Sequence, residues 1–316
     1  MAARLAFVSV VVPVYNERES VRPLCEELLG VLRGLGRRSE VLFVDDGSTD
    51  GTSEVLADLA AAEPEVLIVR LRRNFGKAAA LMAGFREARG DAIVTIDGDL
   101  QDDPAEIPRL LDELEAGADL VSGWKRDRKD PFGKRAASKV FNGVTARMSG
   151  VGLHDLNCGF KAYRAEVVES LALTGDQYRY IPVLAAAEGF RVSEIPVHHR
   201  PRVHGRSKYG LERYLRGFLD LLTILFIGRW RQRPMHLFGG VGMLFIATGV
   251  VICAYLAILR LTGEAIGGRP LLLLGVLLIV VGVQLFTIGL VSEMIQRYHL
   301  RPQDEEARSR VERVIR

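Results

Sequence analysis

The chain has 316 residues, enough for one large domain or two small ones. Its formal net charge of +3 is too small to argue for a nucleic-acid partner, and its three cysteines, Cys25, Cys158 and Cys253, are too scattered for a disulfide framework or a cysteine metal site. Hydrophobic residues reach 48% beside 26% charged ones, so strongly apolar and strongly charged segments share one chain.

Arg4 followed by the apolar run Leu5 to Tyr15 imitates a secretory leader, but Pro13 interrupts it and no small-residue cleavage site follows. Phe7 to Val14 is instead a β-branched run that predicts a buried first strand. Tyr15-Asn16-Glu17 is its exit loop, and Ser20 to Leu32 has helical spacing. Glu40 to Val44 predicts a second strand, ending in Asp45-Asp46-Gly47-Ser48-Thr49-Asp50-Gly51-Thr52, with a helix over Ser53 to Ala62. Val66 to Leu71 is a third strand, and Asn74-Phe75-Gly76-Lys77 leads into the Ala-rich helix Ala78 to Ala88. Ile93 to Ile96 is a fourth strand that runs into Asp97-Gly98-Asp99-Leu100-Gln101-Asp102-Asp103-Pro104. A helix over Pro104 to Leu114 and a strand over Asp119 to Gly123 complete the alternation.

Strands alternating with helices predict an α/β domain on a parallel sheet, with ligands bound beyond the carboxyl ends of the strands. Tyr15 and Glu17, Asp45 and Asp46, and Asp97 and Asp99 all fall at that edge. Asp97 and Asp99 would repel each other unless a cation sat between them, and hard oxygen ligands suit Mg²⁺ or Mn²⁺ shared with substrate phosphates. Gly98 is read as the residue that lets the backbone turn sharply and approach a ligand. Neither G-x-G-x-x-G after the first strand nor G-x-x-x-x-G-K-[ST] is present, so a dinucleotide site or a P-loop is unsupported.

Beyond residue 123 the character changes. Trp124 to Lys139 is dense in Lys and Arg, and Lys139 to Met148 has amphipathic helical spacing. Arg191 to His199 reads as a strand, and Arg200 to Tyr209 as a second basic segment. Two basic segments beside apolar helices favour an anionic partner near a membrane. Leu211 to Trp230 is apolar but broken by Asp220 and is read as an interfacial helix. Phe238 to Leu259 and Leu271 to Ser292 are almost uncharged runs of roughly 20 residues, the length that crosses a bilayer core. Arg229, Arg231 and Arg233 precede them, Arg297 and Arg301 follow, and only Arg260 and Arg269 lie between. The positive-inside rule therefore places both termini in the cytoplasm. Gln284 is expected to pack against a helix, and the tail Arg301 to Arg316 to be a charged helix or disordered. The domain plan is a catalytic domain over residues 1–210, an interfacial helix and basic linker over 211–236, two transmembrane helices over 237–293 and a charged cytoplasmic tail over 294–316.

Val11-Val12-Pro13-Val14-Tyr15-Asn16-Glu17, Val44 to Thr52, Asn74-Phe75-Gly76-Lys77, Asp97 to Pro104 and Asn157-Cys158-Gly159-Phe160-Lys161 together resemble the polyprenyl-phosphate glycosyltransferases of glycosyltransferase family 2. The Leu-Gln-Asp extension, Gly205-Arg206-Ser207-Lys208-Tyr209 and the two-span C-terminus point within that family to bactoprenol glucosyltransferases. The resemblance implies a GT-A fold with a mostly parallel sheet. It implies a nucleotide-sugar pocket lined by Pro13, Tyr15, Glu17, Asp45, Asp46, Lys77, Asp97 and Gly98. It implies a Mg²⁺ or Mn²⁺ site at Asp97, Asp99 and Gln101, and a grip on the lipid phosphate from Lys134, Arg135, Ser138, Arg202, Arg206 and Lys208. Asp155 is its candidate base or acceptor-orienting group. The expected partners are a nucleotide-sugar donor, polyprenyl phosphate and the inner-membrane bilayer, without nucleic acid; copies of the chain could associate through the interfacial helix and tail. Transfer would invert the anomeric centre, with glucose from UDP-glucose expected first, GDP-mannose as the alternative, and N-acetylglucosamine and a modified arabinose left open. A processive polysaccharide synthase is disfavoured because Arg229-Trp230-Arg231-Gln232-Arg233 lacks the Q-x-x-R-W order. A non-catalytic scaffold is disfavoured by the presence of both acidic residues and both basic segments.

Overall fold

The computed structural model describes residues 5–125, 152–155, 158–173, 175, 177–200, 234–263, 265–266, 270–298 and 311–315. The chain separates into two compact units, Met1–Ile224 with Gln303–Arg316, and Leu225–Pro302.

The first unit follows the predicted alternation: β1 (Phe7–Val14), α1 (Val21–Gly34), β2 (Arg38–Asp45), α2 (Thr52–Ala62), β3 (Val66–Leu71), α3 (Lys77–Glu87) and β4 (Ala92–Thr95). A 3-10 turn at Pro104–Glu106 leads into α4 (Ile107–Glu115), followed by β5 (Leu120–Trp124), β6 (Lys161–Arg164), α5 (Ala165–Ser170), α6 (Ile181–Ala187) and β7 (Val192–Pro196). The tail strand β8 (Val311–Ile315) closes the list. The sheet order is β7-β5-β6-β4-β1-β2-β3-β8.

Most neighbours are parallel, but β6 runs antiparallel to both β4 and β5, and β8 antiparallel to β3. Neither antiparallel strand was expected. The tail assigned to a charged helix or disorder instead supplies β8 at its end. Val-Glu-Arg-Val-Ile alternates too briefly to read as a strand without the exposed edge of β3 beside it.

One face of the sheet carries the main core. Val8, Val10, Val12 and Val14 of β1 point to Leu24, Leu28 and Leu32 of α1, Leu56 and Leu59 of α2, and Ile107, Leu110 and Leu114 of α4. The other face meets α3. There Gly84 lets the helix lie against the strands, since a Cβ would come within 2.4 Å of Val11 and 2.9 Å of Val44 side-chain carbons. Helices on both faces explain why β1 is apolar along its length instead of alternating.

The second unit is a hairpin of α7 (Pro234–Leu261) and α8 (Pro270–Tyr298). Both outlast the predicted spans by several residues, because sequence hydropathy stops at the charged ends where helical hydrogen bonding does not. The helices meet at glycines: a Cβ on Gly242 would lie 2.6 Å from the Gly282 carbonyl, and one on Gly249 would lie 2.6 Å from the Gly275 carbonyl. Close backbone approach through small residues is how helices associate where lipid removes the hydrophobic drive. Apolar side chains such as Leu244, Val251, Leu273 and Val283 cover the outside. Gln284 is exposed on this hairpin instead of packed within it.

Candidate active site

The site is assembled from loops that leave the carboxyl ends of the parallel strands. The loops after β1 and β2 are laced together. Asn16 N donates to Ser48 Oγ at 2.9 Å, Thr49 N to Asn16 Oδ1 at 2.8 Å, and Glu17 N to Thr52 Oγ1 at 3.0 Å. Asp50 accepts from Arg18 N at 3.2 Å and Thr52 N at 3.0 Å. Asn16 takes a left-handed φ of 56°, a conformation its short polar side chain tolerates. Next to it the Tyr15 ring is 45% exposed, the only large apolar side chain of β1 and its exit loop left open to solvent. Pro13 and Glu17 are half-buried beside it.

Asp45 and Asp46 have different tasks although they are adjacent. Asp45 is fully buried; its Oδ1 accepts from Ser48 N at 2.9 Å and its Oδ2 from the Ser53 hydroxyl. Asp46 reaches the loop after β3, where Phe75 N and Gly76 N donate to its two oxygens at 2.8 and 2.9 Å. Burial, only partly offset by those two bonds, pushes the Asp46 carboxyl up. Gly47 has φ 73°, and a Cβ there would lie 2.5 Å from the Arg73 carbonyl carbon. Asp46, grouped with the nucleotide-binding residues from sequence, therefore ties down the loop that delivers Lys77.

Lys77 begins α3 and forms an ion pair with Asp97. Burial opposes the ammonium charge, but Asp97, with Tyr178 and Asp102 behind it, more than offsets this and raises the lysine. The Tyr178 ring lies 5.3 Å from the ammonium.

Asp97 is flanked on its other side by Gly159. A Cβ at Gly159 would lie 2.6 and 2.7 Å from the two Asp97 carboxylate oxygens, and Thr95 Oγ1 donates to the Gly159 carbonyl at 2.8 Å. This is a consequence of topology. Because β6 is antiparallel to β4 with Thr95 opposite Lys161, the residues entering β6 lie beside the residues leaving β4. The turn itself differs from the sequence reading: the left-handed residue is Leu100 at φ 61°, not Gly98. Gly98 is needed because a Cβ there would press to 2.7 Å on Val14 of β1. Asp99 Oδ1 accepts from Gln101 N at 3.3 Å.

Asp155 is set by a residue the sequence reading missed. Glu194 of β7, its side chain nearly buried, accepts from Asp155 N at 2.9 Å and from His154 N at 2.9 and 3.0 Å. The His154 ring stacks on Trp124 with centroids 4.2 Å apart. A Glu in the middle of an expected strand was the available signal, since glutamate is depleted from strands. Lys125, buried against Asp102, and Lys161, whose ammonium donates to the Cys158 carbonyl, were also missed. Lys125 was lost in a basic run whose other members tell nothing about it. Cys158 is no nucleophile: burial pushes its thiol up to about 12. The six expected lipid-phosphate residues, Lys134, Arg135, Ser138, Arg202, Arg206 and Lys208, lie outside the described residues, as do Asn157 and the interfacial helix.

Among the described residues no group of three His, Cys, Asp or Glu side chains encloses a cation. By donor chemistry, Asp97 and Asp99 are hard oxygen ligands of the kind that hold Mg²⁺ together with substrate phosphates and water.

The family model described as glycosyl transferase family 2 matches residues 9–172, and one described as GtrB C-terminal hairpin matches 233–298. The chain belongs to glycosyl transferase family 2. A dodecaprenyl-phosphate galacturonate synthase of Rhizobium johnstonii is 42% identical over 93% of this chain and 88% of its own length. An undecaprenyl-phosphate 4-deoxy-4-formamido-L-arabinose transferase of Edwardsiella ictaluri is 37% identical over 99% of this chain and 95% of its own. Among solved structures, glucosyl-3-phosphoglycerate synthase of Mycobacterium tuberculosis, crystallised with Mn²⁺, UDP and phosphoglyceric acid, superposes with a TM-score of 0.55. It is 20% identical and covers 69% of this chain and 77% of its own. The transferase therefore has the expected GT-A fold, and the match over 233–298 spans both hairpin helices.

Proposed function

We propose that this transferase moves a sugar from a nucleoside diphosphate to polyprenyl phosphate at the cytoplasmic face of a membrane. The observation that carries the reading is the meeting of Lys77, Asp97 and Gly159 beyond the sheet edge, beside an exposed Tyr15 and the buried Asp45. The relatives are named for galacturonate and 4-deoxy-4-formamido-L-arabinose, which supports a donor from that pair ahead of the glucose expected first.

Each residue has a task in this reading. Tyr15 offers a flat face to the base, and Asp45 an acceptor held by Ser48 and Ser53. Asp97 and Asp99 would hold a divalent cation, which would supply positive charge to offset that of the leaving diphosphate. Lys77 supplies a second positive charge next to Asp97. The acceptor is a phosphate monoester with a second pKa near about 6 and is largely ionised at neutral pH, so it needs little help from a base. The remaining difficulty is bringing two anions together, which falls to the Arg and Lys residues of the two basic segments. Asp155 then orients the acceptor. A single in-line displacement inverts the anomeric carbon.

Topology supports a cytoplasmic site. The chain leaves the sheet for the hairpin and returns to the same sheet as β8, which requires an even number of crossings. The arginines that flank the hairpin then select the cytoplasmic side. The test is incubation of membranes with labelled UDP- and GDP-sugars plus polyprenyl phosphate, followed by lipid extraction. Lipid-extractable label from UDP-galacturonate or the UDP-linked arabinose derivative is expected; label confined to the aqueous phase for every donor would reject the lipid acceptor.

A further inference from the structure

Past Asp99, the chain runs into a clasp of charged residues that the proposed chemistry does not use. Asp102 is completely buried, and its Oδ1 lies 2.7 Å from Lys125 Nζ and 3.4 Å from His199 Nδ1. Asp102 and His199 form an antiparallel bridge, and Arg200 N donates to the Gln101 carbonyl at 2.7 Å. Arg200 then spans two carboxylates, Glu27 of α1 at 2.7 Å and Asp103 at 2.9 Å. His198 Nδ1 lies 3.4 Å from the other Asp103 oxygen. Backbone pairing and the side chains of Asp102, Asp103, His198, His199 and Arg200 thus fasten residues 198–200 to residues 101–103. On one side of the clasp, Asp97 and Asp99 lie within five residues. On the other, Arg200 itself opens the second basic segment, and Arg202 follows it by two residues in sequence.

A structural ion pair this deep is costly. Desolvation of each charge exceeds what a single contact returns, and an apolar pair of the same volume would usually serve stability as well. A buried charge retained at such a place is better explained by the geometry it imposes. Leu100 is held in a left-handed conformation between Asp99 and this clasp, and such strain persists only when its surroundings over-determine it.

We propose that Asp102, Asp103, Lys125 and Arg200 are positioning residues that lock the Asp97–Gln101 loop to residues 198–200, so that the donor side of the site is set together with the chain from which the second basic segment continues in sequence. This rests on the reading of the two sides given above.

The test is a double-mutant cycle on the partly exposed pair, Asp103→Asn, Arg200→Gln and both together, with Asp102→Asn as the buried counterpart. Two readouts are taken below the melting temperature of every variant: KM for polyprenyl phosphate at saturating donor, and calorimetric binding of UDP or GDP with Mn²⁺. Each single variant is expected to raise KM for the lipid about fivefold and to weaken metal-dependent nucleotide binding about threefold, with the double variant no worse than the worse single. Unchanged KM and nucleotide binding in Asp103→Asn and Arg200→Gln, with only a lowered melting temperature, would overturn the proposal. So would strictly multiplicative effects. If Asp102→Asn does not fold, the exposed pair decides alone. A wild-type protein that binds nucleotide with Mn²⁺ yet transfers nothing to lipid rejects the function and leaves the clasp to be judged by nucleotide binding; one that binds neither nucleotide rejects both.

Discussion

Replacing Gly159 with alanine tests whether Asp97 is held at the reacting centre. Gly159 has no positive φ, so the backbone accepts Ala without strain. The added methyl would stand 2.6 Å from one Asp97 oxygen and 2.7 Å from the other. To reach ordinary contact near 3.4 Å the carboxylate must retreat by about 0.8 Å, in a site where a displacement of about 1 Å costs on the order of 100-fold in rate. The retreat presses towards Lys77, which already pairs with Asp97. Overpacking costs about 1–3 kcal/mol of stability, too little to unfold the domain. Sugar transfer to polyprenyl phosphate should fall about 100-fold in kcat while the melting temperature drops by only a few degrees. Gly30→Ala serves as the control: it lies in α1 with nothing within 4 Å of an added Cβ, and should be slightly more stable and fully active. Full activity in Gly159→Ala would refute the placement of Asp97 at the chemistry.

Asp99→Asn should lower transfer about 100-fold, and EDTA should abolish transfer in the wild type; full-rate transfer by the variant with EDTA present would reject the metal. Asp46→Ala removes the acceptor for two backbone N–H groups and should cost about 3 kcal/mol, read as a lowered melting temperature, with a weaker hold on Lys77 read as a raised donor KM. Burial pushes Asp119 up, but its bonds from Arg191 more than offset this and hold the carboxyl below 3.8. A depressed folded-state pKa gives stability that is present above 3.8 and lost as pH falls through the lower folded value, so wild type should exceed Asp119→Asn near neutrality and converge with it once the pH has fallen below that folded value. Deleting residues 303–316 uncovers the edge of β3, and should lower the melting temperature and increase aggregation, measured by light scattering.

The sequence was most informative where one physical rule acted alone. β1, β3 and the two long apolar helices follow from continuous burial or from length. The clusters at the carboxyl ends of β1, β2 and β4 follow from the geometry of a parallel sheet. The reading failed where a residue's role depends on a partner far along the chain. Asp46 and Asp45 are indistinguishable in sequence, and only the bonds from Phe75 N and Gly76 N show that Asp46 anchors the loop before α3. Glu194 and Asp102 look like ordinary surface acids until β7 and the bridge to His199 bury them. The strands β6 and β8 are short, and their direction is set by the edges they fill.

The antiparallel insertion of β6 is what makes the site more than a row of acidic turns. In a wholly parallel sheet, only loops following strands reach the carboxyl edge, and each brings residues from one βα unit. Reversing β6 brings the segment that precedes a strand to the same edge, so Gly159 abuts Asp97. Parallel β7, next to β5, then places Glu194 where it orders the Asp155 backbone. Under the proposed function, the donor half of the site would be built by the β1–β4 alternation, and the half that receives the acceptor would adjoin the strands of mixed direction. The clasp from residues 101–103 to 198–200 crosses between those halves. A change in loop length on the acceptor side would therefore be felt at Asp99, whereas equal changes after α2, remote from the clasp, should leave transfer untouched.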